Sequence, residues 1–206
     1  MNTTAMSLVS DRAAEVPRPQ ALGLGVWVMI GVGSALFGLF LAAYVMRMDG
    51  GDWAPVALPW QVGLSTALLV LVSLVLQRAS GAAAAGRRAA ARAALGAGGW
   101  LALAFLATQA WAWTALRSAE VMPVGNPAAS FFYLLTAMHA LHVLGGLVGW
   151  GVALRGLTHA AQVQEVAWRL GLCARYWHFL LAVWIVLVAA LGWLTPELVA
   201  YLCGTA

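Results

Sequence analysis

The chain has 206 residues, of which 63% are hydrophobic and only 9% charged, and its mean hydropathy is +0.87; this composition excludes a soluble globular domain and points to a membrane protein. The net charge of +4 comes from eleven arginines, with no lysine, against seven acidic residues. The arginines are dispersed over short connecting segments rather than gathered in one stripe, so no nucleic-acid partner is expected.

A hydrocarbon core of about 30 Å takes about 20 apolar helical residues, and lipid leaves no partner for an open backbone group. Residues 1–20 are polar, carry Pro17 and Pro19 and have no apolar core of a cleavable signal, so they read as a disordered cytoplasmic tail. Five spans follow, at about 21–46, 59–77, 93–116, 127–154 and 174–195, giving an all-α five-transmembrane-helix bundle that forms a single membrane domain over 21–206. Between the second and third spans, RASGAAAAGRRAAARAA reads as an arginine-studded interfacial helix or a flexible connector. Asn126 before Pro127 predicts an N-cap and first-turn proline for the fourth span. Thr195 and Pro196 close the fifth and open a short surface helix, PELVAYL. No internal repeat is visible.

Arginine placement orients the bundle. Arg12 and Arg18, then Arg78, Arg87, Arg88 and Arg92, then Arg155, Arg169 and Arg175 fall on one side, against Arg47 and Arg117 on the other. The positive-inside rule puts the N-terminus in the cytoplasm and the C-terminus in the periplasm. Cys173 and Cys203 sit at opposite ends of the fifth span, roughly 45 Å apart, too far to pair.

Asp11, Glu15, Asp49, Asp52, Glu120, Glu165 and Glu197 all lie outside the five spans. Coupled transporters and pumps keep an ionisable group at membrane depth, and neither an acid–base pair nor an activated nucleophile can be assembled from the buried residues. No catalytic residue, cofactor ligand or metal ligand is therefore assigned, and the chain is expected to support chemistry rather than perform it.

The ionisable groups left inside are three histidines, with Gln109 as their main polar companion. His139 and His142 are one turn apart, and Thr136, Gly146 and Gly149 continue their stripe. Such a small, polar face admits a neighbouring helix while the imidazoles hydrogen-bond across the contact, and Gly145 with Gly149 forms a GxxxG pair. His178, on the fifth span, is the third imidazole. The rival reading is axial haem ligation by His178 with His139 or His142; it is weakened by depth, since His178 lies close to Arg175 and His142 near mid-span. Most of the eleven tryptophans, Trp27 included, fall near span ends as an aromatic belt. Trp111, Trp113 and Trp184 are deeper, as candidates for helix or lipid contacts.

FFYLLTAMHALHVLGGLVGW and, later, YWHFLLAVWIVLVAALGW resemble the last two helices of the haem-copper oxidase subunit III family, which includes cytochrome c oxidase subunit 3, its quinol oxidase counterpart and an accessory protein of nitric oxide reductase. Thr136, His139, His142, Gly146, Tyr176, Trp177, His178, Phe179 and Trp184 match the family's spacing, as do Trp27, Phe37, Ala43 and Tyr44 in the first span and Phe105, Leu106 and Gln109 in the third. The second span matches only in length and position. Gly33, Ala112 and Leu181 stand where the family commonly has acidic residues, so roles carried by those carboxylates do not transfer.

The resemblance implies a divergent five-helix member, in the bacterial inner membrane, with no redox centre of its own. It implies docking on catalytic subunit I, which holds the haem and copper, beside other oxidase subunits, with phospholipid bound in a cleft between the first two helices and the remaining three. The structural, lipid or interface candidates are Trp27, Gln109, Thr136, His139, His142, Gly146, Tyr176, Trp177, His178 and Trp184. The leading expectation is an accessory subunit of a respiratory terminal oxidase. The alternatives are the nitric oxide reductase accessory protein and a stand-alone haem-binding membrane cytochrome.

Overall fold

The computed structural model describes residues 18–159 and 163–203. Its helices are α1 (Arg18–Arg47), α2 (Trp60–Ala84), α3 (Arg88–Ser118), α4 (Pro127–His159), α5 (Val163–Trp193) and the short α6 (Pro196–Cys203). The first five are each long and apolar enough to cross a membrane, as expected of a multi-pass all-α protein.

The helices overrun the expected spans at the arginine-rich end. α1 begins at Arg18, so Arg18–Gln20 are helical, and the tail reading for residues 1–17 falls outside the described residues. α5 begins at Val163, which places Glu165 in its first turn, paired with Arg169 at 2.6 Å, and Cys173 well inside the helix. Arg, Gln and Glu lower hydropathy while keeping good helix propensity, so an apolar window marks the hydrocarbon crossing and not the helix end.

The Ala/Arg segment is neither a surface helix nor a loose connector. α2 runs on to Ala84, and the chain reverses through a Schellman turn: Arg87 N–H donates to the Ala82 carbonyl at 2.9 Å and Gly86 N–H to that of Ala83 at 3.0 Å. Gly86, at φ +73°, supplies the left-handed residue this motif needs. Ala79, Ala82, Ala83 and Ala91 are buried in the hairpin, so the alanines let α2 and α3 approach closely. Asn126 caps α4 as its sequence suggests, its Oδ1 accepting the Ala128 N–H at 3.0 Å. Thr195 Oγ1 likewise accepts the Leu198 N–H of α6 at 3.3 Å.

Between helices in lipid, association rests on close fit and buried hydrogen bonds rather than on water exclusion. The most extensive contact is α2 on α3, followed by α2 on α5, α4 on α5 and α3 on α4. Trp177, Leu180, Trp184 and Leu187 of α5 are all essentially buried, making α5 the central post. Among the described residues, the extensive contacts of α1 are with α5 and α4. This corrects the expected cleft between the first two helices and the other three, because α2 is welded to α3 and α5 by small residues and α1 alone stands apart. A small apolar cleft of about 170 Å³ does lie between α1 and the α4/α5 pair, lined by Val26, Met29, Gly146, Gly149, Trp168 and Cys173 among others.

Candidate functional site

The sequence-expected polar residues divide into ties between helices and unpaired buried groups. Thr66, Ser73 and Ser80 of α2 repeat every seven residues, a spacing that keeps one helix face towards one neighbour. Each hydroxyl meets α5. Thr66 Oγ1 accepts the indole N–H of Trp184 at 2.9 Å. Ser73 bonds His178 Nδ1, and Ser80 Oγ lies 3.7 Å from where a Cβ on Gly171 would sit. His178 Nε2 also bonds Gln77 Oε1 at 3.0 Å. An amide oxygen can only accept, so Nε2 carries the proton and Nδ1 accepts from the Ser73 hydroxyl. The second span, which carried no motif by resemblance, thus supplies three of the partners, and its heptad of hydroxyls was the available signal.

The α3–α4 face has its own ties. Thr136 Oγ1 accepts the Trp113 indole N–H at 3.0 Å and donates to the Phe132 carbonyl at 2.7 Å, and the Trp150 indole donates to the Leu95 carbonyl at 2.7 Å. Gly99 makes room for that indole: a Cβ there would come within 2.3 Å of the Trp150 ring. Tyr176 Oη donates to the His142 carbonyl at 3.2 Å, tying α5 to α4. Gly146 faces Tyr176, Trp177 and Leu180, each 3.2 Å from its would-be Cβ, whereas Gly149 meets nothing. Of the GxxxG pair, Gly145 meets the Tyr176 hydroxyl of α5 at 3.9 Å from its would-be Cβ, and both Gly145 and Gly149 line the cleft.

The expectation that His139 and His142 hydrogen-bond across a helix contact is corrected. His139 is fully buried among the rings of Phe37, Phe105 and Trp184, the last with its centroid 4.9 Å away, and neither ring nitrogen has a partner. The Gln109 side chain, 1% exposed, is also unpartnered at both polar atoms. His142 Nδ1 donates back to the Met138 carbonyl of its own helix at 2.7 Å, and its ring lies tilted against that of Phe37, with the centroids 5.1 Å apart. Residues three apart are offset by about 60° around a helix, enough to bury one imidazole and turn the other to α1. There, a Cβ on Gly33 would stand 3.8 Å from His142 Nε2.

The three imidazoles are not brought together, since His178 faces α2, His142 faces α1 and His139 is enclosed. Among the described residues no group of three or more His, Cys, Asp or Glu side chains is placed to hold a metal ion. Trp27 is 56% exposed, with the Arg175 guanidinium 5.8 Å from its ring centroid.

The model of the family described as cytochrome c oxidase subunit III matches residues 16–195. The chain is 31% identical over 195 residues to the "Probable cytochrome c oxidase subunit 3" of Mycobacterium bovis, covering 89% of this chain and 93% of that protein. It is 28% identical to the cytochrome c oxidase subunit 3 of Corynebacterium diphtheriae, over 85% and 89% of the two chains. With that of Synechocystis it is 30% identical, over 91% and 84%. A match that spans all five long helices, and with them the ties between α2, α4 and α5, means that the chain belongs to the cytochrome c oxidase subunit III family.

Proposed function

We propose that this protein is the non-redox accessory subunit III of a respiratory haem-copper terminal oxidase, docked on a catalytic subunit that holds the haem and copper, and that it binds phospholipid. The observation that carries this reading is the family match over residues 16–195. The relatives bear the name cytochrome c oxidase subunit 3, which favours an oxidase partner over a nitric oxide reductase. The role is architectural. Asp49, Asp52, Glu120, Glu165 and Glu197 lie in loops or first helical turns, while Thr66, Gln77 and Thr136 are spent on ties between α2 and α5 and between α3 and α4. A bundle stiffened in this way offers a partner a rigid lipid-facing surface. The arginine distribution supports a cytoplasmic N-terminus and a bacterial inner-membrane location.

Affinity purification of the chain in a mild detergent tests the reading. A large catalytic subunit should come with it, the complex should show a haem Soret band, and deletion of the chain should lower or destabilise oxidase turnover. Recovery of the chain alone, with no haem in the preparation and oxidase activity unchanged on deletion, overturns it.

A further inference from the structure

At the arginine-rich end, one row of exposed side chains crosses three helices. Trp27 of α1 lies under the Arg175 guanidinium of α5. One turn on, His178 of α5 is bonded to Gln77 of α2, and Arg78 follows it; all five are exposed. α1 and α2 do not pack extensively on each other, each resting on α5, so the row crosses the opening between them.

Three independent helices set this row at one depth. Trp27 stands 20 residues from Arg47 at the far end of α1, Gln77 stands 17 from Trp60 on α2, and Arg175 stands 18 from Trp193 on α5. At 1.5 Å per residue these are about 30, 26 and 27 Å, one hydrocarbon thickness. The far ends of α2 and α5 share a level, because Leu58 just before α2 packs 2.9 Å from the would-be Cβ of Gly192 near the end of α5, and the contact of Trp27 with Arg175 sets α1 at the same height. The row therefore lies where phosphate headgroups lie.

Its chemistry is that of a hydrogen-bond donor. The Gln77 oxygen is taken by His178 Nε2, which leaves the amide's two N–H donors, and Arg175 and Arg78 add two cations. The one carboxylate among the described residues at this end, Glu165, is held by Arg169 and stands ten residues, about 15 Å, before Arg175. Inward from the row the surface turns apolar, with Leu74 54% and Ile185 50% exposed.

We propose that the Trp27–Arg175–Gln77 row binds the phosphate of a membrane phospholipid whose acyl chain runs inward along the opening between α1 and α2. This deepens the lipid-binding part of the proposed function by giving it a place and a phosphate ligand set. A charge-assisted guanidinium contact supplies most of the recognition and the amide N–H groups the remainder.

The test titrates the delipidated, affinity-purified preparation, with whatever oxidase subunits accompany it, by thermal shift and native mass spectrometry. The probes are dioleoyl phosphatidylglycerol, dioleoylglycerol and inorganic phosphate. Phosphatidylglycerol alone should bind and stabilise, and its half-saturating concentration should rise about tenfold in Arg175→Gln and several-fold in Gln77→Leu. It should change little in Arg175→Lys, which also controls for folding, or in Arg117→Gln at the opposite end. Equal stabilisation by dioleoylglycerol would reduce the site to acyl packing, equal stabilisation by inorganic phosphate would make it a site for a soluble anion, and unchanged affinity in Arg175→Gln would remove the row from the site; each overturns the proposal. Co-purification of a haem-bearing subunit, scored on the same samples, reports separately on the accessory role.

Discussion

His178 of α5 donates its Nε2 proton to Gln77 of α2 across 3.0 Å. The bond, together with that to Ser73, joins the central helix to the α2–α3 hairpin. A double-mutant cycle of His178→Leu and Gln77→Leu should give a coupling of about 0.6 kcal/mol and at most about 1.7 kcal/mol, the range for side-chain hydrogen bonds in membranes. Reversible unfolding in mixed micelles measures it. A coupling indistinguishable from zero would mean the pair is not a tie.

His139 should behave in the opposite sense. Its ring is enclosed by Phe37, Phe105 and Trp184 with both nitrogens unpaired, and a buried polar group without a partner costs about 1–3 kcal/mol. His139→Phe, which keeps an aromatic in an aromatic cage, should leave stability unchanged or raise it by about 1 kcal/mol. A loss above about 2 kcal/mol in the same unfolding assay would show that the imidazole is hydrogen-bonded.

Glu120 ends α3 in the left-handed region, at φ +58°. There Val121 N–H reaches the Leu116 carbonyl at 3.0 Å and Glu120 N–H that of Arg117 at 3.1 Å, the same turn that Gly86 makes after α2. A side chain in that conformation costs roughly 1 kcal/mol. Glu120→Gly should therefore stabilise the protein by up to about 1 kcal/mol, seen as a raised midpoint in thermal denaturation, whereas Glu120→Val should lower it.

The turn after α1 should respond to acid. Arg47 Nη2 contacts both carboxylate oxygens of Asp52, at 2.7 and 2.6 Å, and this bond holds the Asp52 carboxyl below its ordinary range. A carboxyl depressed in the folded state contributes stability that is present above its unfolded value and is lost as pH falls through the folded one. Wild type should thus lose more stability than Asp52→Asn on acidification below the normal aspartate range, and the two should respond alike at neutral pH and above. Parallel curves throughout would show the ion pair to be idle. Gly50 permits the pair, since a Cβ there would stand 1.8 Å from Arg47 Nη1.

Sequence patterning made the helix count, the Asn126 cap and the Thr195 break legible, because hydropathy and capping chemistry are local properties. Helix ends were less so. The arginines and alanines that look like a connector in 78–94 are a hairpin whose alanines are buried only because two helices meet there. The facing of His139 and His142 was misjudged for a related reason: a three-residue spacing states proximity, while the identity of the neighbour depends on where α1 and α5 stand. Thr66, Ser73 and Ser80 were readable as a heptad, yet hydroxyls are common in membrane helices, and only the antiparallel run of Trp184, His178 and Gly171 gives them meaning.

Because the extensive contacts of α1 among the described residues are with α4 and α5, the order of synthesis matters. α2 and α3 can zip together as soon as their short turn leaves the ribosome, but the first helix has no extensive partner until α4, which begins 80 residues after Arg47, enters the bilayer. During that wait it must be tolerated by lipid or by the insertion machinery, and a truncation ahead of α4 would strand it there.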